Sequence, residues 1–515
     1  MMHMDIAIIG GSLGGLQAAI SACEAGKRVY LCEETRWLGG QLTSQAVPPD
    51  EHRWIERQGG TRRYLRYRQA VRAYYRNLPN AAPGMRALNA FCPGDSWVSR
   101  VAHEPIVAHR LLMAEAQPYL DRGLLTIRYQ TRAVAADVRE DLIRSVTVLH
   151  GPSGVREEIV AAYFLDATDT GELLPLVGAR YRVGAESRAD TGEPHAPEAA
   201  DPEDMQPITH VAALRLDENA PPLPKPERYD FFAAQTMPRF GHHLLSWNAP
   251  DGATGRVTRW TMFDGEPGDH DIGLWRYRQI VNPAYYTDRP HPVTLLNWPQ
   301  NDYALGNVID CADAAAHLEE AREMTRCCVY WLRHEAPRAD GGKGYPIAYE
   351  PSVMGTEDGL AMAPYIRESR RIIAKGRVVE QDLAKACVEH LPHVPDSVGV
   401  GSYAIDLHCT TRTHATLFAE AWPFELPLSV MVPEKLRNLI PACKNVGTTH
   451  LTNGCFRLHP IEWNIGEVAG YLAAYCLDRE LTPAQVLESS LTDFQRVIAE
   501  QGVQLHWRLN DQLEE

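Results

Sequence analysis

The chain has 515 residues, room for about three domains of ordinary size. Apolar residues make up 45% and charged residues 23%, enough for a large core, which excludes a disordered, collagenous or coiled-coil chain. With 51 Lys and Arg against 66 Asp and Glu, a net charge of −15, and no basic block, neither nucleic acid nor an anionic membrane surface is expected as a partner.

The eleven cysteines contain no C-x-x-C pair, so no zinc ribbon or redox dithiol of that type is expected, and no metal site. Their odd number in a long chain suits a reducing compartment. Met1–Asp5 lead straight into an apolar run, without the cationic stretch and cleavage site of a secretory signal. No apolar run approaches the roughly 18 residues of a membrane span. The expectation is a cytoplasmic protein with a small-molecule substrate, its oligomeric state left open.

In chain order, Ile6–Ile9 reads as a strand covered on both faces. Gly10–Gly15 is glycine-rich. Leu16, Ala19, Ile20 and Cys23 have helical spacing, Gly26 stops the helix, and Val29–Cys32 is a second apolar strand. A right-handed crossover makes the two strands parallel. Residues 45–105, rich in Arg, Tyr, Trp and Pro, predict helices and ordered loops. Leu124–Tyr129, Ala133–Asp137, Ile143–Leu149 and Val155–Ala161 predict an antiparallel meander, followed by a separate apolar strand, Tyr163–Thr168. Residues 190–226 hold eight prolines and read as a linker or ordered loop around a strand at Ile208–Leu216. A helix is predicted near 312–334, another over 461–474 with Pro460 at its start, and a last one after Thr482-Pro483 with Leu487, Leu491, Phe494 and Ile498 inward.

The strongest motif is Gly10-Gly11-Ser12-Leu13-Gly14-Gly15 between a strand and a helix, with Glu33 after the second strand. Gly10 permits the tight turn, and Gly15 permits close packing of helix on strand. The helix N-terminus offers unpaired N–H groups and its positive dipole end to a pyrophosphate. Glu33, 23 positions after Gly10, suits a ribose diol. Ser12 stands where a second glycine is usual, a small residue in its place. A dinucleotide site is predicted here.

Three further segments narrow it: Trp37-Leu38-Gly39-Gly40-Gln41-Leu42-Thr43, Asp166-Ala167-Thr168-Asp169-Thr170-Gly171, and Leu439–Asn445 with the loop before Pro460. With these the chain resembles the FAD-dependent oxidoreductases of the glutathione-reductase-like fold, over roughly 1–45, 105–185 and 395–480. Tyr365–Arg371 resembles a further family segment. Asp169 and Cys443-Lys444 replace residues that are usually glycine or Gly-Asp/Gly-Arg. The resemblance implies an α/β protein: a Rossmann-like FAD-binding domain with a parallel sheet and a β-meander (1–45, 105–185, 395–480), an inserted α+β substrate or cap domain (46–104, 186–394), and a C-terminal helical segment (481–515). It also implies FAD as cofactor. Gly10, Ser12, Leu13, Gly14 and Gly15 would meet the pyrophosphate. Glu33, Glu34, Arg36 and Val134 would meet the adenosine end. Gly40, Gln41, Leu42, Asp166, Ala167, Thr168, Asn445 and Ile461 would lie along the rest, with the 461–474 helix N-terminus toward the flavin.

No cysteine lies in Gly39–Gln45, which argues against disulfide reduction, and no second glycine-rich fingerprint supports a dedicated NAD(P)H domain. For catalysis, flavin supplies the hydride chemistry and the protein a base. His450 and His459 are the candidate bases and Arg457 a carboxylate or oxyanion partner; the alternative is that the histidines merely hydrogen-bond their loop. His242, His243 and His408 are read as surface or core, Arg367–Arg371 equally as a site or a basic helix face, and Cys327-Cys328 as core. The expected function is removal of a hydride from a polar small molecule, with oxygen or another acceptor reoxidising the flavin. A monooxygenase using transient NAD(P)H and a redox-silent flavin-binding protein are the alternatives.

Overall fold

The computed structural model describes residues 1–391 and 393–508; the expected C-terminal segment therefore lies partly outside the described residues, at 509–515. The N-terminal unit forms as read: β1 (Met2–Ile9), α1 (Leu13–Glu24) and β2 (Val29–Cys32), with β1 and β2 parallel and Ile6 opposite Val29. Ser12 caps α1, its hydroxyl accepting from the Gly15 N–H at 3.1 Å. Beyond α1, Gly26 takes φ +80°, the left-handed conformation that stops a helix most readily at glycine.

After β2 come α2 (Arg62–Arg76) and α3 (Pro105–Asp121), then β3 (Leu125–Arg128), β4 (Thr131–Arg139), β5 (Leu142–His150) and β6 (Arg156–Asp166). Here the expected meander is corrected. β3 pairs parallel with β2, because α3 carries the chain across as a βαβ crossover. The antiparallel part is β4–β5–β6. Nor are 155–161 and 163–168 separate strands. β6 is a single strand whose start pairs antiparallel with β5 and whose end pairs parallel with β1. Among the described residues the sheet has seven strands, ordered β3-β2-β1-β6-β5-β4, with Leu439–Pro441 also joining β6.

The second unit centres on a four-stranded antiparallel sheet of β7 (Ala212–Leu216), β8 (Gln279–Val281), β9 (Val293–Leu296) and β10 (Ile347–Tyr349). The long α4 (Ala314–His334) covers it, and Phe232, Trp247, Trp298, Met324 and Cys327 share this core. Every cysteine is free, and Cys327 and Cys328 are both buried. Residues 46–104, expected with the cap, touch both units: Gln279 of β8 donates to the Gly94 carbonyl at 2.7 Å and Arg278 pairs with Asp50, while other residues of the segment pack on the first unit. Arg63 donates to Ser21 at 2.9 Å, and the rings of Tyr64 and Tyr67 lie against Trp463.

The chain returns through β11 (Leu439–Pro441), α5 (His450–Phe456), α6 (His459–Arg479) and, after a wide turn at 486–490, α7 (Leu491–Glu500). α6 crosses α1 at unusually short range. A Cβ on Gly466 would strike the Gly14 backbone, one on Gly470 the Ala18 backbone, and one on Gly14 the Ala442 carbonyl. Small residues four apart on both helices form the ridge that permits this approach. Among the described residues, no helix is long and apolar enough to cross a membrane.

Candidate active site

The glycine-rich turn, the Gly39–Gln41 segment and the end of β6 meet in the first unit. Gly10, at φ +99°, has the Ala167 and Thr168 backbone against its Cα, leaving no space for a side chain. A Cβ on Gly40 would stand 3.0 Å from Ser12 Cα and 3.1 Å from Leu13 N. Gly40–Leu42 form one tight helical turn. Ala167 N–H donates to Ile9 at 2.7 Å, and Asn445 donates its side-chain N–H to the Asp166 carbonyl at 3.1 Å. Ile461 is buried in the first turn of α6.

The donor set there suits a diphosphate. Ser12, Leu13, Gly40 and Gln41 are buried, and their backbone N–H groups find no acceptor among the described residues. Buried donors without acceptors are unfavourable; phosphate oxygens would satisfy them. One anion already stands at α1: the Glu462 carboxylate accepts the Gly14 N–H at 3.2 Å, bonds the Gln41 amide, and lies 3.3 Å from Lys444 Nζ. Lys444, fully buried, also pairs with Asp169.

Around this centre the expected adenosine residues differ in place. Glu33 accepts from Gly11 N–H at 2.9 Å and Thr35 N–H at 2.8 Å, and burial pushes its carboxyl up to about 7. Glu34 and Arg36 are exposed, and Arg36 donates to the Gly355 carbonyl at 3.1 Å. Val134 is half-buried where β4 bulges against β5. Asp166 spends its carboxylate on its own turn, accepting from Thr168 N–H and hydroxyl and from Leu174 N–H at 2.8–3.2 Å.

The candidate bases are also re-sorted. His459 is locked: its Nδ1 accepts the Asp50 N–H at 3.0 Å, its Nε2 donates to the Val47 carbonyl at 3.2 Å, and burial pushes it down to about 3. A neutral imidazole with both nitrogens engaged has no lone pair left for a substrate. His450 is held through one ring nitrogen only. Its Nδ1 lies 2.9 Å from Glu368, and its backbone N–H donates to Glu186 at 2.9 Å. Burial opposes its protonation, but Glu368 outweighs burial and raises the pKa. His459 is thus held through both ring nitrogens, His450 through Nδ1 alone.

A cavity of about 520 Å³ opens beside this region, and His408, read as surface or core, stands on its wall with Asp50, Asp302, Asp406 and Tyr403. His408 Nδ1 lies 2.5 Å from Asp302 Oδ2 and its Nε2 3.5 Å from Asp406 Oδ2. Burial and Arg367 disfavour its charge, but the two carboxylates prevail, and its pKa is raised. Each carboxylate has its own cation: Arg367 Nη2 is 2.8 Å from Asp302, and Arg457 Nη2 is 3.1 Å from Asp406. Arg457 also donates to the Tyr365 hydroxyl at 2.8 Å. Thus Arg367–Arg371 is no helix face; Arg367 and Arg371 are buried in ion pairs.

The two regions share a wall. The Gln41 side chain donates to the Arg457 carbonyl at 3.0 Å, so the glycine segment is one residue from the cavity's Asp406–Arg457 pair. Asp302, Asp406 and the role of His408 were missed. One signal existed: Asp406-x-His408 at the end of a short strand, Ile405–Leu407, because residues two apart on a strand share a face.

A parallel sheet with a glycine-rich turn at the head of α1 and unpaired N–H donors beside it defines a dinucleotide-binding α/β protein. The chain belongs to the FAD dependent oxidoreductase family, whose model matches residues 5–498, and FAD is its cofactor. No curated protein matches the chain. Solved structures resemble it distantly. An L-proline dehydrogenase from P. horikoshii has 18% identity over 37% of this chain and 25% of its own, with a TM-score of 0.19. A p-nitrophenol 4-monooxygenase from Pseudomonas putida DLL-E4 has 10% identity over 98% and 87%, with a TM-score of 0.38. A myxobacterial chondrochloren halogenase has 11% identity over 98% and 84%, with a TM-score of 0.33. Superpositions this loose carry no argument about the reaction.

Proposed function

We propose that the protein is a dehydrogenase or oxidase that takes a hydride from a carbinol carbon of a small molecule held in the 520 Å³ cavity, with His408 as base. The observation that supports this is the Asp302–His408–Asp406 cluster on the cavity wall, tied through Arg457 and Gln41 to the glycine segment. The donors of Ser12, Leu13, Gly40 and Gln41 would hold the diphosphate of FAD, and Glu33 would meet a ribose. Bound FAD supplies the hydride acceptor.

In this reading Asp302 holds the His408 ring by accepting its Nδ1–H, which leaves Nε2 as the proton acceptor. The substrate O–H would give its proton to Nε2, and bound FAD would supply the acceptor for the hydride of the carbinol carbon, which would become a carbonyl carbon. Arg367 keeps Asp302 ionised and in place.

The test is anaerobic mixing of purified holoprotein with candidate substrates, watched by loss of flavin absorbance. His408→Gln should keep bound FAD and lose about 10²–10⁴ in the rate of flavin reduction. Reduction at the wild-type rate by His408→Gln, or reduction that requires NAD(P)H, would overturn the proposal.

A further inference from the structure

The cavity also carries information about what enters it. One wall is an arc of aromatic rings. Trp97 is 59% exposed and lies stacked on Tyr277, with centroids 5.8 Å apart and planes 26° apart. Trp260 meets the same Tyr277 edge-on at 5.7 Å and is itself backed by His270 at 3.7 Å. Trp97, Trp260, Tyr277 and His270 all line the cavity, so it meets a connected cluster of aromatic rings held against one another.

The polar wall is charge-compensated. Among the described residues no Lys or Arg lines the cavity. The arginines behind it are all committed: Arg278 to Asp50 at 2.8 Å, Arg68 to Glu51 at 2.7 Å, Arg367 to Asp302 and Arg457 to Asp406. An anionic substrate would find no free cation. A cationic one would find four carboxylates whose charge is already met, a fifth, Asp251, that among the described residues accepts only from the Thr254 N–H and hydroxyl, and a His408 inclined to be positive. What the wall does offer is the carboxylate lone pairs left over from about four acceptor sites each: Asp50 accepts two bonds from Arg278, whereas Asp302 already accepts from Thr209, Arg367 and His408. Hydroxyl groups fit such acceptors without bringing charge.

Aromatic rings and largely compensated carboxylates lining one cavity suit a ring whose edge carries hydroxyls and whose C–H face is apolar. We infer that the cavity binds a neutral carbohydrate or cyclic polyol, oxidised at a ring carbinol. The binding claim stands on the cavity itself; the oxidation rests on the function proposed above.

Two measurements on the holoprotein separate the claims. The first is calorimetric binding of neutral aldoses, their glycosides and cyclitols, against amines and hydroxy acids of similar size. The second is anaerobic bleaching of the flavin by the same panel. The expected result is binding and bleaching by a neutral polyol alone. Trp97→Ala, at an exposed position that should not disturb folding, should raise KM or Kd about three- to tenfold with kcat unchanged. Polyol binding weakened by Trp97→Ala without bleaching would uphold the ligand class and sink the hydride reading. Bleaching by an amine or an acid and not by polyols, or no polyol binding at millimolar concentration, would overturn the inference while leaving hydride removal testable by itself.

Discussion

The dinucleotide unit and the cavity wall are built on opposite physical terms. In the first, space decides. Gly14, Gly466 and Gly470 let α1, α6 and the end of β11 come so close that a single methyl collides with backbone, and the donors there are backbone N–H groups. In the second, charge decides. Asp50, Asp302 and Asp406 stand beside buried guanidinium groups, and each would be unfavourable without its partner. A space-limited site tolerates almost any charge nearby but no added atom; a charge-limited site tolerates a change of volume but not an unpaired ion.

That contrast can be broken from either side. Gly14→Val should be the most damaging change, since its branches would meet the Ala442 carbonyl and the α6 backbone. The expected outcome is no soluble folded protein, or a folded one that takes up no FAD, read by circular dichroism and flavin absorbance. On the charge side, Arg457→Met keeps much of the volume but leaves Asp406 without its guanidinium. Losing one partner of a buried pair costs about 3–5 kcal/mol, read as a fall in the denaturant midpoint. If Arg457→Met were neutral and Gly14→Val harmless, the contrast would be mistaken.

A pH series sharpens it. His408 must be neutral to accept a proton, and its pKa is raised above the ordinary 6.5 by Asp302 and Asp406 against the effects of burial and Arg367. The flavin-reduction rate should therefore fall about tenfold per pH unit on the acid side of a value above 6.5. The sign for stability is opposite. A group whose folded pKa is raised stabilises fully below its unfolded pKa, and that contribution is lost as pH rises through the folded value. Wild type should thus lose stability relative to His408→Gln between neutral and alkaline pH.

The smallest expected effect is a control just beyond α1. Gly26 has φ +80° and open space around it, so Gly26→Ala meets only backbone strain. It should cost about 1 kcal/mol and leave FAD uptake intact, unlike any side chain at Gly14 inside the helix.

Much of the space-limited region was legible in the amino-acid order. Around the turn its contacts run between neighbours in sequence: Ser12 caps Gly15, and β1 pairs with β2 across one short helix, whereas Gly466 and Gly470 reach Gly14 and Ala18 from the far end of the chain. Hydrophobic period and glycine spacing report such contacts directly. The β-meander was misjudged at one strand because an apolar run does not say whether its partner is parallel. α3 decided that, by returning the chain beside β2. The catalytic region was legible only in fragments. Arg457 is legible as a candidate from its place before α6, but not its pairing with Asp406 and Tyr365, which leaves its Nε without a partner. His459 and His450 both adjoin α6, yet hydrogen bonds with Asp50 N–H and the Val47 carbonyl occupy both nitrogens of His459, while Glu368 holds only Nδ1 of His450.

By itself the sequence determined the strand–turn–helix–strand unit, the family and thus the cofactor, because those depend on backbone shape and residue size at fixed short intervals. Only the tertiary structure decided which histidine faces the cavity and which acids are neutralised. Arg278 and Asp50 lie 228 positions apart and Arg367 and Asp302 lie 65 apart. Coulomb energy depends on distance in space, and no local pattern records it.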